Sequence, residues 1–507
     1  MAKIAYGPIG MVGAEHVTWG RGLAGAFATL MLWYIGKATY NIFLHPLRKV
    51  PGPFVAKFTS KWLEYQGFTG HKTATLHNMH QKFGPVVRVA PDELLFSDPA
   101  LIKKIYGFKA SYLKTSFYTG FDDYGEPVLF TLRDRSLHRD RKKLMAHAFS
   151  ESTILQGEHL VAEQIEKFLS KIEDQQGTAM DVYMWFRCLT LDIVSSLFMG
   201  ASFETLDKRD HEYMDSVDSY FVLAGLKWQI PWLIPLTSWI PWARWQHFLG
   251  AQTKIYNLGR SSFKDYLERH GRNSGRQDAL TKIIHGDKVL PPLSDEQIAL
   301  EIGSILVAGT DTTATVLTYL CWELAKMPTL QVQLRDELKQ AILGYQDKHV
   351  PKYSDLKFLP LLEGIVLEGL RLHGPAVGSI PRVVPIGGDM LGEYFVPAGT
   401  TVGIQAYTTH HDPTIFPDPD TFKPERWANG GTREMKDASL PWSKGSRMCP
   451  GLHLATLELK AVLAALSLGW ELSLGPNMKD DTMDMIDNWV LMPKGNFCDI
   501  VFKPLAV

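Results

Sequence analysis

The chain has 507 residues, 45% hydrophobic and 21% charged, with a formal net charge of −1. That balance describes a core-forming globular protein and argues against a surface built for nucleic acid. Its four cysteines, Cys188, Cys321, Cys449 and Cys498, show no CxxC or disulfide-framework spacing, which fits a reducing compartment.

The N-terminus stands apart from this average. Gly22 to Gly36 is a run of fifteen uncharged, mostly apolar residues, short of the roughly 20 that cross a bilayer. Letting Lys37 snorkel extends the run to Leu44. Residues 1–21 are then a short lumenal lead and 22–44 a transmembrane anchor, with Trp19, Trp33, Tyr34 and Tyr40 as interfacial aromatics. Basic residues are denser after the segment (Arg48, Lys49, Lys57, Lys61) than before it, placing the body in the cytosol. A cleaved signal peptide and a buried core helix are the rival readings. Pro51-Gly52-Pro53 closes residues 45–53 as a stiff hinge, because proline lacks an N–H and restricts its predecessor. Residues 54–507 form one large domain, with no repeat or composition shift to divide it.

Within that domain the pattern predicts a helix over 72–83 and a strand over 85–90, then mainly helices from 150 to 290, interrupted by the Trp/Pro-rich stretch 228–245. Ser294 and Gln297 form a capping box opening a thirty-residue apolar helix that ends before Pro328. Such a helix must run through the middle of a large domain. It carries Ala308-Gly309-Thr310-Asp311-Thr312-Thr313, where a glycine and several hydroxyls are expected to distort the backbone ladder and open a small polar pocket. Glu368 and Arg371 lie three apart on a predicted helix over 361–372, close enough to pair.

Trp442-Ser-Lys-Gly445-Ser-Arg447-Met-Cys449-Pro-Gly451 precedes a further apolar helix starting near Leu452. With 42 Gly and 4 Cys in 507 residues, a G-x-x-x-C-x-G string arises by chance roughly 0.03 times, so the loop is a specific signal. A cysteine thiolate is an electron-donating haem ligand that favours O–O cleavage, and it needs backbone N–H groups aimed at its sulfur. Arg447 is placed to meet a haem propionate. The bland alternative is a buried core cysteine near a turn.

This loop resembles the F-x-x-G-x-R-x-C-x-G haem-binding segment of the cytochrome P-450 family, with Trp442 in place of Phe. Ala308 to Thr313 is similar to the family's A-G-x-D-T-T, and Phe422-Lys-Pro424-Glu425-Arg426-Trp427 to its F-x-P-E-R-F. The resemblance implies a mainly α fold with small β-sheets, haem b as cofactor and an O₂- and NADPH-dependent monooxygenase acting on an apolar small molecule. It implies that Asp311 relays protons and Thr312 donates a hydrogen bond at the oxygen site. Glu368, Arg371 and Arg426 become a structural network behind the cysteine loop. Cys449 is the axial ligand of the iron, with Arg447, Arg382, His138 and Lys142 toward the propionates; the last two stand where W-x-x-x-R is usual, and Lys lacks the guanidinium fork.

The family's substrate-contact positions fall on Phe117, Tyr118, Phe121, Ala308, Val377, Ser379 and Trp489, with Tyr118 or Ser379 orienting the substrate. HPLRKVPGP and HRDRKKLMAHAF look like segments of filamentous-fungal microsomal members of specialised metabolism. That likeness implies a single-pass protein of the endoplasmic reticulum. Only 58 residues follow Cys449, so electrons are expected from a separate flavoprotein reductase, with cytochrome b5 as a further donor. The basic run Arg139 to Lys143, with Lys444, is the expected docking surface. A haem-thiolate enzyme of rearrangement, dehydration or oxidative coupling is the alternative; it has less need of Asp311-Thr312.

Overall fold

A computed structural model describes residues 12–122, 125–208, 211–273, 280–286, 289–342 and 350–505. The elements that position the site are α1 (Val12–Thr39), α2 (Arg135–Met145), α3 (Val182–Met199), α4 (His211–Gln229), α5 (Ala251–His270), α6 (Asp295–Lys326), α7 (Pro360–Leu372) and α8 (Leu452–Gly469). The strands are β1 (Val86–Ala90), β2 (Glu93–Phe96), β3 (Leu113–Lys114), β4 (Arg382–Val383), β5 (Thr401–Ile404), β6 (Met485–Asn488) and β7 (Val490–Pro493). Helices dominate and the sheets are small, as the sequence predicts.

The capping box opens α6 as expected: the Gln297 N–H donates to Ser294 Oγ at 3.2 Å, and the Ser294 N–H to Gln297 Oε1 at 3.3 Å. Thirty-two residues later the helix stops at Met327, and Pro328 starts the next one at its first turn, where a missing N–H costs nothing. α6 runs through the main core, packed against α3, α5 and α8. Its glycines permit the approach: a Cβ on Gly309 would stand 2.6 Å from Val194 Cγ2 of α3, and one on Gly259 of α5 would run into the Ala299 carbonyl. α6 is one continuous helix through Gly309, so the expected break there is absent, although the Thr310 and Thr312 hydroxyls do donate to the carbonyls of Leu306 (2.6 Å) and Ala308 (2.7 Å). Gly309 serves helix packing instead.

The five-stranded sheet has the order β1-β2-β5-β4-β3, antiparallel except for the β2–β5 pair. Its own apolar cluster includes Leu94, Phe96, Val377, Val402, Ile404 and Leu491. The three remaining cysteines, Cys188, Cys321 and Cys498, are fully buried.

The N-terminal helix starts earlier than the sequence suggests, at Val12 rather than Gly22, and reaches Thr39 before a π-turn over Tyr40–Leu44. Residues 1–11 of the expected lead lie outside the described residues. From Phe27 to Ile35 and again at Tyr40, Phe43 and Leu44, large apolar side chains are exposed. The proline-rich segment is docked on the body. Fully buried Arg88 donates to the carbonyls of Asn41 (3.1 Å) and Pro91 (2.8 Å), and its N–H to that of Pro51 at 2.7 Å. Leu47 and Val50 are buried in the sheet cluster. The chain is thus engaged with the body from about Asn41 onward.

Candidate active site around Cys449

Cys449 sits on a loop held by its own backbone. Its N–H donates to the Trp442 carbonyl at 2.9 Å, and a 3₁₀ turn over Gly445–Arg447 carries the chain past Tyr106 and Gly107. Gly445 has φ +69°, and a Cβ there would collide with the Tyr106 carbonyl, so this position requires glycine. The Cys449 sulfur faces the N–H groups of Gly451 and Leu452 at the start of α8. Burial raises the thiol above its ordinary value, against the pull of those two N–H groups and of Lys142. A metal cation on the sulfur would add to that stabilisation of the thiolate.

The fit of haem is tested by the charges nearby. Lys114 on β3 and Arg382 on β4 are both buried and directly opposite each other in the register. Like charges across a strand pair are unfavourable, and more so when buried. Neither makes an ion pair with a carboxylate among the described residues. Lys114 donates to the Phe130 carbonyl and lies 4.2 Å and 4.4 Å from the ring centroids of Tyr118 and Phe130; Arg382 donates to Tyr118 Oη at 3.2 Å. Burial, then Arg382 and Arg447, push the Lys114 ammonium well below the ordinary lysine value. Burial and Arg382 likewise lower Arg447 to about 10. Such a cluster of basic side chains fits an anion, and the two carboxylates of a haem would supply it.

Lys114 was missed by sequence reasoning; its only signal was a lone lysine in an aromatic stretch. His138 is buried near the same cations, which with burial depress it to about 3, so it stays neutral. Lys142 points elsewhere: its Nζ donates to the Ser446 carbonyl at 2.8 Å, bracing the cysteine loop rather than offering itself to a propionate. Arg447 donates to the carbonyls of Leu132 and Arg133, tying the loop to the segment before α2.

Behind the loop, Glu368 is fully buried and accepts from Arg371 Nε (2.9 Å) and Nη2 (2.7 Å), Arg426 Nε (2.9 Å), the Lys423 N–H (3.0 Å) and Trp427 Nε1 (2.9 Å). These donors outweigh burial and hold its carboxyl below the usual range. The expected Glu–Arg–Arg network is present, and Trp427, standing where F-x-P-E-R-F has Phe, adds a donor. Arg371 Nη1 also donates to the His410 carbonyl at 2.8 Å. His410, a residue the sequence reading passed over, links the Arg371 carbonyl through Nδ1 (2.9 Å) to the Leu440 N–H at Nε2 (2.9 Å). The network reaches the start of the cysteine loop through that imidazole.

On α6, Asp311 and Thr312 diverge. Ala308 is exposed and Thr312 half-buried although the helix is central, so this face borders open space inside the fold. Asp311 is buried against α3, where Arg187 Nε donates to its Oδ1 at 2.8 Å. Asp311 is therefore paired, by a residue that no motif flagged.

The family model for cytochrome P450 matches residues 50–498. The chain belongs to the cytochrome P450 family. It is 30% identical over 482 residues to cytochrome P450 monooxygenase tazI of Aspergillus terreus, covering 93% of this chain and 97% of that protein. It is 32% identical over 472 residues to cytochrome P450 monooxygenase oblB of Cochliobolus heterostrophus, covering 88% and 87%. Cytochrome P450 monooxygenase orf2 of Aspergillus niger is 28% identical over 93% of this chain. The protein is thus a haem-thiolate monooxygenase, which takes electrons from a separate reductase as its family does.

Several expected pocket residues of this cytochrome P450 meet across the fold. Phe117 and Phe121, on a 3₁₀ segment over Ser116–Phe121, lie 4.5 Å and 5.4 Å from Trp489 by ring centroids. Trp489 is the turn residue between β6 and β7, with φ +76°, and its N–H donates to Asp487 Oδ1 at 3.0 Å. A bulky residue at positive φ is strained, and here its indole meets the rings of Phe117 and Phe121. Trp228 at the end of α4 joins at 5.4 Å from Phe117, unforeseen in the sequence. Val377 instead packs in the sheet cluster, and the Tyr118 hydroxyl is engaged by Arg382. Ser379 Oγ is buried with no hydrogen-bond partner among the described residues. The flanking Asp123 and Tyr124 lie outside the described residues.

Of the expected docking run, Arg141 is turned inward onto buried Glu301, whose Oε1 also accepts the Leu129 N–H at 2.9 Å. Lys444 Nζ donates to the Lys436 carbonyl at 2.8 Å. What the cysteine loop presents outward is Ser446, Met448 and Pro450, beside a cavity of about 210 Å³ lined by Lys142, Met145, Phe149, Met448 and His453.

Proposed function

We propose that this cytochrome P450 oxidises an apolar small molecule of fungal specialised metabolism, using NADPH electrons from a flavoprotein reductase. The observation that carries the substrate class is the enclosure of Phe117, Phe121, Trp228 and Trp489, whose rings offer area and no charge. The fungal relatives, all monooxygenases by name, support the setting. Residues 12–44 serve as a single-pass endoplasmic-reticulum anchor and 54–507 as the cytosolic catalytic domain, with 45–53 the docked connection between them. The exposed apolar side chains of α1 support this, as does the internal bonding of its hydroxyls, Thr29 to the Gly25 carbonyl and Thr39 to that of Ile35, both at 2.9 Å.

Haem ligated through Cys449 would supply O₂ activation and O–O cleavage. Lys114, Arg382 and Arg447 hold its propionates, with His138 a neutral donor nearby; Lys142 steadies the loop. Thr312 turns its hydroxyl from the Ala308 carbonyl toward the open face to donate a proton there, and Asp311 replenishes it. Ser379 orients a substrate oxygen. The reductase docks at the exposed cysteine-loop face, where cytochrome b5 competes for the same surface.

The test is reconstitution with an NADPH–cytochrome P450 reductase and a panel of terpenoid, polyketide and peptide-alkaloid probes. Binding should shift the haem spectrum for apolar members and not for their carboxylated analogues. Preference for the charged analogues overturns the substrate class. Cys449→Ala should abolish the red-shifted carbonyl band of the reduced protein; persistence of that band removes the axial assignment.

A further inference from the structure

The basic side chains around the cysteine loop divide into two groups. Lys114, Arg382 and Arg447 form the first: Lys114 is opposite Arg382 in the β3–β4 register, and the charges of Arg382 and Arg447 both reach it. Against the two carboxylates of a haem, that side holds a surplus of positive charge before Lys142 is counted.

Lys142 stands apart from them. It is half-buried on α2, and its Nζ donates to the Ser446 carbonyl at 2.8 Å, three residues before Cys449. It shares with Cys449 the cavity of about 210 Å³ whose other walls include Met145, Phe149 and Met448. Burial lowers Lys142 and raises Cys449, and in each case the charge of the other opposes that shift. Arg447 repels Lys142 from the haem-edge side.

The helix fixes this placement. Asp134 Oδ1 caps α2 by accepting the N–H groups of Ser136 (2.8 Å) and Leu137 (2.9 Å), and Arg141 is turned onto buried Glu301 of α6. Successive residues of a helix point about 100° apart, so with Arg141 held inward Lys142 is carried round to the loop. Lysine also suits the place. Its compact ammonium satisfies a single carbonyl, whereas the planar fork of an arginine matches a carboxylate.

Resting on Cys449 as the axial ligand, we propose that Lys142 is a positioning residue of the thiolate and not of a propionate: held on the Ser446 carbonyl, its charge draws electron density from the Cys449 sulfur and raises the reduction potential of the haem bound there. A sulfur that gives less to the iron leaves the iron readier to accept an electron. A positive charge beside a centre that gains an electron also lowers the energy of the reduced form. The apolar walls of the shared cavity limit screening by water and salt, which strengthens the effect. The electron is the single one delivered by the reductase, and the sulfur–iron bond stays intact. Lys114 then takes the charge that the arginine of W-x-x-x-R brings to the haem edge.

The experiment uses the full-length holoprotein without substrate. It reads the midpoint potential by redox titration, and the iron–sulfur stretching and propionate bending bands by resonance Raman spectroscopy. Lys142→Met should shift the potential downward and the iron–sulfur stretch upward, with the propionate bands, haem content and carbonyl band at wild-type positions. Lys142→Gln keeps a donor for the Ser446 carbonyl and removes the charge, so it should shift potential and stretch in the same directions. If Lys142→Gln restores wild-type values that Lys142→Met loses, Lys142 only braces the loop and the proposal fails. If Lys142→Met moves the propionate bands and leaves the iron–sulfur stretch in place, Lys142 serves a propionate and the proposal is overturned. A red-shifted carbonyl band that survives Cys449→Ala removes the axial reading itself and takes the proposal with it.

Discussion

Single side chains in this enzyme are held by more partners than their motifs imply. Glu368 accepts five hydrogen bonds, so removing it would strand Arg371, which is fully buried. Glu368→Ala should therefore yield almost no haem-loaded protein, read from the ratio of haem to protein absorbance. Trp427→Phe deletes one donor and leaves the carboxylate otherwise satisfied; a loss of about 1–2 kcal/mol, with haem retained, is the expected result in thermal melts. His410 carries a pH dependence. Burial first, then Arg371, push it from 6.5 to about 3, and its two hydrogen bonds require the neutral ring. Between those values the unfolded chain binds the proton and the folded one does not, so this stability is present above about pH 6.5 and is lost as pH falls toward 3. Against wild type, His410→Asn should be less stable at neutral pH, and the gap in melting temperature should narrow on acidification.

Elements are set by close approach. α6 meets α3 at Gly309 and α5 at Gly259, and the two contacts differ in what stands opposite. Opposite Gly309 is the methyl end of the buried Val194 side chain. Opposite Gly259 is the Ala299 backbone, which cannot yield without moving its helix. Gly259→Ala should cost about 1–3 kcal/mol, and Gly309→Ala the lower end of that range, by thermal denaturation. Gly309→Ala should nevertheless uncouple NADPH use from product more than Gly259→Ala does, because it pushes α6 away from the helix that carries Arg187. Equal coupling in the two variants would separate helix packing from proton supply.

At the scale of the whole molecule, the anchor and the body are separable only at one point. Arg88 is buried and bonded to the Asn41 carbonyl, so a cut after residue 39 leaves that bond in place and a cut after residue 44 breaks it. The first truncation should release the protein from microsomal membranes with its carbonyl spectrum intact. The second should release it with a lower melting temperature. Release should be partial in both, because Trp232, Leu236, Trp239 and Trp242 expose a further apolar surface outside α1. Tight attachment of the shorter protein, undiminished from full length, would contradict the anchor.

The sequence by itself determined what is local. The capping box and Pro328 bound α6, local pattern placed helices at 72–83 and 361–372, and the glycine-framed string marked Cys449, because each depends on residues within a few positions. The family motifs carried Glu368, Arg371, Arg426, Asp311 and Thr312 for the same reason. Tertiary structure alone decided the partners. Lys114 faces Arg382 across 268 positions of chain, and Arg187 finds Asp311 across 124, with no spacing rule to connect them. It also decided where long side chains spend their charge: Lys142 on a loop carbonyl, Arg141 on Glu301, Arg382 on the Tyr118 hydroxyl. A charged side chain reaches several ångströms in any direction, so its role is fixed by what burial brings within that reach.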